Sequence, residues 1–107
     1  MAREGPGRAR LAENDVMKVK IKFFAYFRET FDGRDKDIVL PEGSTVGDLF
    51  DDLCDTPKRR DAVFNGRALK PLIIVMKNGT PIHSLDGLAT TLDENDVLAV
   101  FPFVAGG

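Results

Sequence analysis

Five consecutive apolar residues, Val97-Leu98-Ala99-Val100-Phe101, run into Pro102 close to the end of the sequence. A run this short, bounded by turn residues, reads as a strand rather than a helix, and its unbroken apolar character predicts a central strand covered on both faces. A chain whose last strand is central must assemble its sheet around that strand, so earlier strands have to flank it. Pro102 has no amide donor, so sheet pairing is predicted to stop there and to release the residues that follow.

The upstream pattern supplies the flanking elements. Val19, Ile21, Phe23 and Ala25 alternate with Lys18, Lys20 and Lys22, the period of two expected of a half-buried strand with a lysine face. Asp32-Gly33 marks a turn, and Ile38, Val39 and Leu40 form a second strand ended by Pro41, which together read as a hairpin with a long connection. Val46, Leu49, Phe50 and Leu53 then fall on one face of a helix. Thr45 or Ser44 can cap it, Asp48 sits near the positive end of its dipole, and Asp51, Asp52 and Asp55 take the solvent side. Pro57 marks its stop. Lys58 to Lys70 is weakly patterned and reads as irregular, with a short helical turn at Ala62, Val63 and Phe64 before Asn65-Gly66. Leu72 to Met76 is a buried strand between Pro71 and the hairpin pair Asn78-Gly79, and Pro81-Ile82 is a short strand held to an edge by its proline. Asp86-Gly87, Leu88, Leu92 and Asn95-Asp96 lead into the last strand.

Strand, strand, helix, strand, short strand, strand is the order of an α+β domain of the ubiquitin-like, β-grasp type: a mixed sheet of about five strands packed on one main helix. The first and last strands are expected to be parallel central neighbours. The division is a flexible N-terminal extension (residues 1–16), the β-grasp domain (17–101) and a flexible C-terminal Gly-Gly tail (102–107).

Composition narrows the function. The 107 residues suffice for one domain. Fifteen Lys plus Arg against seventeen Asp plus Glu, net −2, argue against a dedicated nucleic-acid binder. No apolar run approaches the roughly 20 residues of a spanning helix, so no membrane role is expected. Met1 to Val16 has no apolar core of a secretory signal, and its Arg3, Arg8 and Arg10 are offset by Glu4, Glu13 and Asp15. One Cys and one His exclude a disulfide framework and a Cys/His zinc site, and leave little for acid–base catalysis. A small cytoplasmic domain, without a metal, that handles its chemistry through a partner is the expectation.

The tail carries that chemistry. Pro102-Phe103-Val104-Ala105-Gly106-Gly107 reaches about 20 Å when extended. Two residues without Cβ thread a narrow channel and adopt backbone angles closed to other residues. A carboxylate is a poor electrophile, so its use as an acyl donor requires activation by ATP in a partner's site. The tail holds no Lys, Cys, His or Ser, which makes it a substrate and not a catalyst. The plain alternative is a frayed end of small residues.

Phe24-Ala25-Tyr26-Phe27-Arg28-Glu29 resembles the opening motif of the MoaD/ThiS sulfur-carrier family, as does Leu40-Pro41-Glu42-Gly43-Ser44-Thr45-Val46 with Leu49. Asn78-Gly79, the stretch from Leu85 through Gly87, Leu88, Thr91 and Leu92, and the Phe-Pro-x-Val-Ala-Gly-Gly ending resemble the family's longer members. The family often has Pro-Pro where this chain has Pro102-Phe103, and usually Gly-Asp where it has Asn95-Asp96. Asn tolerates the left-handed conformation, so that turn is expected to survive. The resemblance implies that an E1-like enzyme adenylates Gly107 with ATP and that a sulfur donor converts it to a thiocarboxylate. For the nearest branch the acceptor is the large subunit of molybdopterin synthase, with this chain as the small subunit. Related carriers serve thiamine, cysteine or tRNA thiolation, and some archaeal relatives are joined to protein lysines. No tightly bound cofactor is implied; ATP is used by the activating enzyme.

On this reading Gly107 is the reacting residue, and Gly106, Ala105 and Val104 thread the partner's channel. Phe103 anchors a partner pocket beside Pro102, while Phe24 and Phe27 are partner contacts or core residues. Cys54 reads as a small core residue, His83 as surface or turn packing, and Lys58-Arg59-Arg60 as a solvated loop. Asp86, Asp93, Glu94 and Asp96, with no Lys or Arg after Asn78, suggest a basic partner face near the tail. A β-grasp interaction module with an inert tail is the remaining alternative.

Overall fold

The computed structural model describes residues 15–103; the stretch 1–14 of the expected extension, and Val104, Ala105, Gly106 and Gly107 of the expected tail, lie outside them. The lysine-striped segment forms β1 (Val16–Phe23), starting one residue before the expected boundary at Met17. Met17, Val19, Ile21 and Phe23 are buried and the lysines take the other face. β2 (Asp35–Pro41) pairs with it antiparallel, with Val19 opposite Ile38. The long connection between them holds a single helical turn, α1 (Phe27–Thr30), which no apolar periodicity announces. Its anchors are Phe27 and Phe31, both fully buried, and Phe31 stacks on Phe23 with ring centroids 4.7 Å apart.

α2 (Val46–Leu53) starts where capping chemistry requires it to. Thr45 Oγ1 accepts from Asp48 N at 3.2 Å, and Asp48 Oδ2 accepts from Thr45 N at 2.9 Å, so two orphan donors are satisfied reciprocally. Val46, Leu49, Phe50 and Leu53 turn to the core. The segment read as irregular is not. Pro57 opens a second helix, α3 (Pro57–Val63), capped by Thr56, whose Oγ1 accepts from Arg59 N at 3.1 Å. At a first helical position the missing proline amide removes no bond, so Pro57 opens α3 four residues after α2 ends at Leu53. A small hairpin follows, β3 (Phe64–Asn65) with β4 (Ala68–Leu69).

β5 (Ile73–Lys77) and β6 (Thr80–Pro81) are joined by Asn78 and Gly79, with φ of 51° and 87°, the left-handed pair a tight hairpin demands. Two 3₁₀ turns, Ile82–Ser84 and Gly87–Ala89, then lead to β7 (Val97–Pro102). Asn95, where the family usually has glycine, has φ 69°. The five-stranded sheet has the order β2-β1-β7-β5-β6, with β1 and β7 parallel and β6 at an edge. This is the ubiquitin-like β-grasp.

Two expectations for β7 need correction. The strand is covered on one face only: Leu98 and Val100 are fully buried, whereas Val97 is 36% exposed and Ala99 and Phe101 are partly exposed. The core assembles on a single side of the sheet, so half of an all-apolar strand is left in the open. Pairing also continues past the expected stop, because Pro102 lies opposite Ile73 and Phe103 N donates to Leu72 O at 2.7 Å. The parity of that bond makes Phe101 and Phe103 the donors toward β5. The amide that Pro102 lacks would have faced the β1 side, beyond the end of β1. Pro102 therefore closes the sheet instead of opening the tail.

Replacing Thr45 by Ala is expected to lower stability by about 1 kcal/mol, and Leu98→Ala by about 2–5 kcal/mol. Urea unfolding followed by circular dichroism measures both.

Candidate functional site

The open sheet face divides into a charged half and an apolar half. Lys18, Lys20 and Lys22 of β1 face Val39, Asp37 and Asp35 of β2 across the ladder, with Lys20 Nζ 3.2 Å from Asp37. On the other half, Phe101 lies opposite Ile74 and Ala99 opposite Met76, all on the uncovered side. Beyond them Phe103, bonded through its amide to Leu72, is 52% exposed and Leu72 is 64% exposed.

Phe24 joins this panel from the end of β1. Its amide donates to Val100 O at 3.1 Å, and its ring meets Phe101 edge-on at 5.9 Å between centroids. The Arg28 guanidinium sits 5.6 Å from the Phe24 ring centroid while its Nε donates to Phe23 O at 3.0 Å. One cation thus fixes both the strand end and the ring above it. Ala25 follows with φ 56°, a left-handed turn that leaves Phe24 on the sheet surface and sends Phe27 into the core. Phe24, Ala99 and Phe101 border a shallow depression of about 370 Å³ whose walls are apolar. Exposed apolar surface of this kind, rimmed by charge, is what protein docking sites are made of.

Among the sequence-derived candidates, Phe24 and Phe103 are at this surface and Pro102 is half-buried inside β7. Phe27 is not a partner contact: it is fully buried as the first residue of α1, where it holds that turn against the core. Tyr26, which the sequence reading did not single out, is 53% exposed with its ring 4.5 Å from that of Phe27. Together with Lys70, Pro71 and Leu72 it borders a second concavity of about 350 Å³ near the end of β7. Leu72, Ile74 and Met76 were hidden in a continuous apolar run, although their spacing of two was the available signal.

Lys58-Arg59-Arg60 forms the first turn of α3 and not a solvated loop. Arg59 bonds Asp55 and Asp32, each at 2.9 Å, and donates from Nε to Thr30 O at 3.0 Å, tying α1 to α3. Arg60 pairs with Asp51 at 3.2 Å and lies 4.6 Å from the Phe64 ring centroid. The acidic C-terminal stretch is less available than its composition suggests. Asp96 is buried, accepts from Asn78 Nδ2 and from Asp93 N, each at 2.8 Å, and lies 3.4 Å from Lys77 Nζ, which is also 3.5 Å from Asp93. Lys77 directly precedes Asn78, where the stretch without Lys or Arg begins. His83 is exposed on a 3₁₀ turn. Among the described residues no group of three or more His, Cys, Asp and Glu could hold a metal, and no helix is long and apolar enough to cross a membrane.

The ThiS family pattern matches residues 21–107, from mid-β1 through the last glycine. The chain belongs to the ThiS family. This is a family of sulfur carriers and small ubiquitin-like modifiers. Small archaeal modifier protein 3 of Haloferax volcanii is 36% identical over 99 residues, which are 85% of this chain and 100% of that protein. The crystal structure of small archaeal modifier protein 1 of the same organism superposes with a TM-score of 0.73 at 29% identity, over 82% of this chain and 99% of that one. A putative molybdopterin converting factor, subunit 1, of Pyrococcus furiosus superposes with a TM-score of 0.67 at 29% identity, with the shares again 82% and 99%.

Cys54, at the end of α2, is buried, and burial pushes its thiol from 9.0 up to about 11. At pH 8 the native thiol is expected to react with iodoacetamide roughly 100-fold more slowly than an ordinary cysteine. Rapid labelling without denaturant, followed by mass spectrometry, would contradict this. A raised value means that the folded chain keeps its proton longer than the unfolded one. The associated stability is complete below 9.0 and is lost as pH climbs through about 11. Cys54→Ala is expected to remove that slope in denaturation measured across the range.

Proposed function

We propose that this chain is a sulfur carrier whose Gly107 carboxyl is activated by an E1-like enzyme and then receives sulfur. The carboxylate oxygen attacks the α-phosphorus of ATP, pyrophosphate leaves, and a sulfide-level sulfur nucleophile displaces AMP to give the thiocarboxylate. Gly106, Ala105 and Val104 pass through the partner's channel, since small residues allow a close backbone approach. The observation that carries this reading is the apolar panel of Phe24, Ala99 and Phe101, exposed on and beside the strand that leads directly into the Gly-Gly ending. A partner docked on that panel has the tail within reach of its own active site, with Phe103 between the two as an anchor.

The acceptor we propose is the large subunit of molybdopterin synthase, with this chain as the small subunit, consistent with its likeness to the Pyrococcus furiosus protein. A second reading is favoured by the likeness to small archaeal modifier protein 3: the same activated glycine is attacked by a lysine amine, forming an isopeptide bond. Both outcomes share the activation step and differ in the nucleophile.

Mass spectrometry of protein isolated from its own host separates them. A gain of one sulfur for one oxygen at the C-terminus supports the carrier, Gly-Gly remnants on lysines of other proteins support the modifier, and the absence of both leaves an interaction module with an inert tail. Deleting Gly107 is expected to abolish ATP–pyrophosphate exchange with the activating enzyme and to leave the unfolding midpoint unchanged. Phe101→Asp is expected to reduce kcat/KM for activation roughly 30-fold, the effect of losing about 2 kcal/mol at an interface centre.

A further inference from the structure

β2 is the outermost strand on one side of the sheet, separated from tail-bearing β7 by β1. Its ladder shows which backbone groups are occupied. Phe23 N donates to Arg34 O and Glu42 N donates to Asp15 O, each at 2.8 Å, so the even-numbered residues of this stretch turn toward β1. The N–H and C=O groups of Asp35, Asp37 and Val39 therefore point outward, and none of them bonds a backbone or side-chain group of another element among the described residues. The side chains of these three residues stand on the open face, with Val39 61% exposed, while Ile38 is half-buried on the other face.

We propose that this edge accepts an extended segment of a partner protein as an additional antiparallel strand. The segment presents basic residues opposite Asp37 and Asp35 and an apolar residue opposite Val39. Backbone bonds to the three outward residues supply the affinity, and the facing side chains supply the choice of sequence. Asp37 pairs with Lys20 at 3.2 Å on its β1 side, and a basic residue on the added strand flanks the same carboxylate from the other side, whereas an acidic residue there faces it directly. The aspartates also disfavour a second copy of this chain, because an antiparallel β2 centred on Asp37 sets that residue opposite its counterpart, and one centred on Ile38 sets the two diagonal to each other. Occupation of this edge leaves Phe24 and Phe101, on the other half of the sheet, uncovered. A protein could hold the carrier here while another acts on Gly107. The inference goes beyond the activation chemistry and stands without it.

The test is amide exchange and chemical-shift mapping by NMR on the full chain, titrated with the peptide acetyl-Thr-Val-Ile-Arg-Thr-Arg-Thr-amide. The amides of Asp37 and Val39 are expected to exchange at least about 10-fold more slowly with peptide bound, and the effect is expected to weaken as salt is raised. A peptide with Glu in place of both Arg is expected to bind weakly or not at all. Asp37→Pro is expected to abolish binding, since it deletes an outward N–H and leaves the β1 ladder intact, as the spectrum of the variant will show. Four results overturn the proposal: no protection at millimolar peptide, undiminished binding by Asp37→Pro, protection that grows with protein concentration alone, or protection already present without peptide and lost when residues 1–14 are removed.

Discussion

The parallel pairing of β1 with β7 is the constraint on which the rest of the molecule depends. It joins the first and last strands of the described chain at the centre of the sheet, with Ile21 beside Leu98 and Phe23 beside Val100, all of them buried. Such a contact closes a very long loop, so it cannot persist until the intervening elements have formed and covered one face. α2 meets this need through the buried stripe of Val46, Leu49, Phe50 and Leu53. Because a single layer of helices covers a single face, the other face is left available for recognition. Core and exposed apolar panel are two sides of the same strand.

The last strand thereby links stability to reach. Leu98 and Val100 hold it in the core, Ala99 and Phe101 present apolar surface outward, and the residues that follow lead to the two glycines. Phe24 is fixed against Phe101 by its amide bond to Val100 and by Arg28 above its ring, so the panel is built before any partner arrives. Preorganised apolar surface needs little ordering on association.

Local chemistry was legible where a residue had one physical use. The alternation of Lys18 to Phe23, the capping pair Thr45 and Asp48, and the left-handed pair Asn78-Gly79 each gave an element that the fold contains. Pro57 marks a stop that the fold contains, since α2 ends at Leu53, but it hides the start of α3, because proline suits a first helical turn as well as a stop and the Thr56 cap is the signal for the start. Phe27 and Phe24 have the same side chain three positions apart; the left-handed Ala25 between them, which assigns one to the core and the other to the surface, has no signature in composition. The apolar run of β7 implied two covered faces because an unbroken run carries no alternation to mark the face left open. The panel was therefore visible in the sequence as hydrophobicity but not as exposure.

Asn78 is held by three bonds: its amide nitrogen donates to Val97 O at 2.8 Å, its Oδ1 accepts from Val97 N at 2.9 Å, and its Nδ2 donates to buried Asp96 at 2.8 Å. An asparagine followed by glycine is the sequence most given to spontaneous deamidation, in which the next backbone nitrogen attacks the side-chain carbonyl. In the folded chain both ends of that side chain are engaged, which slows the attack. Once it happens, a new carboxylate faces Asp96 and the start of the central strand loses its clasp. Chemical ageing at this position would loosen the start of β7, so the bonds that shape the hairpin turn also guard the central strand against it.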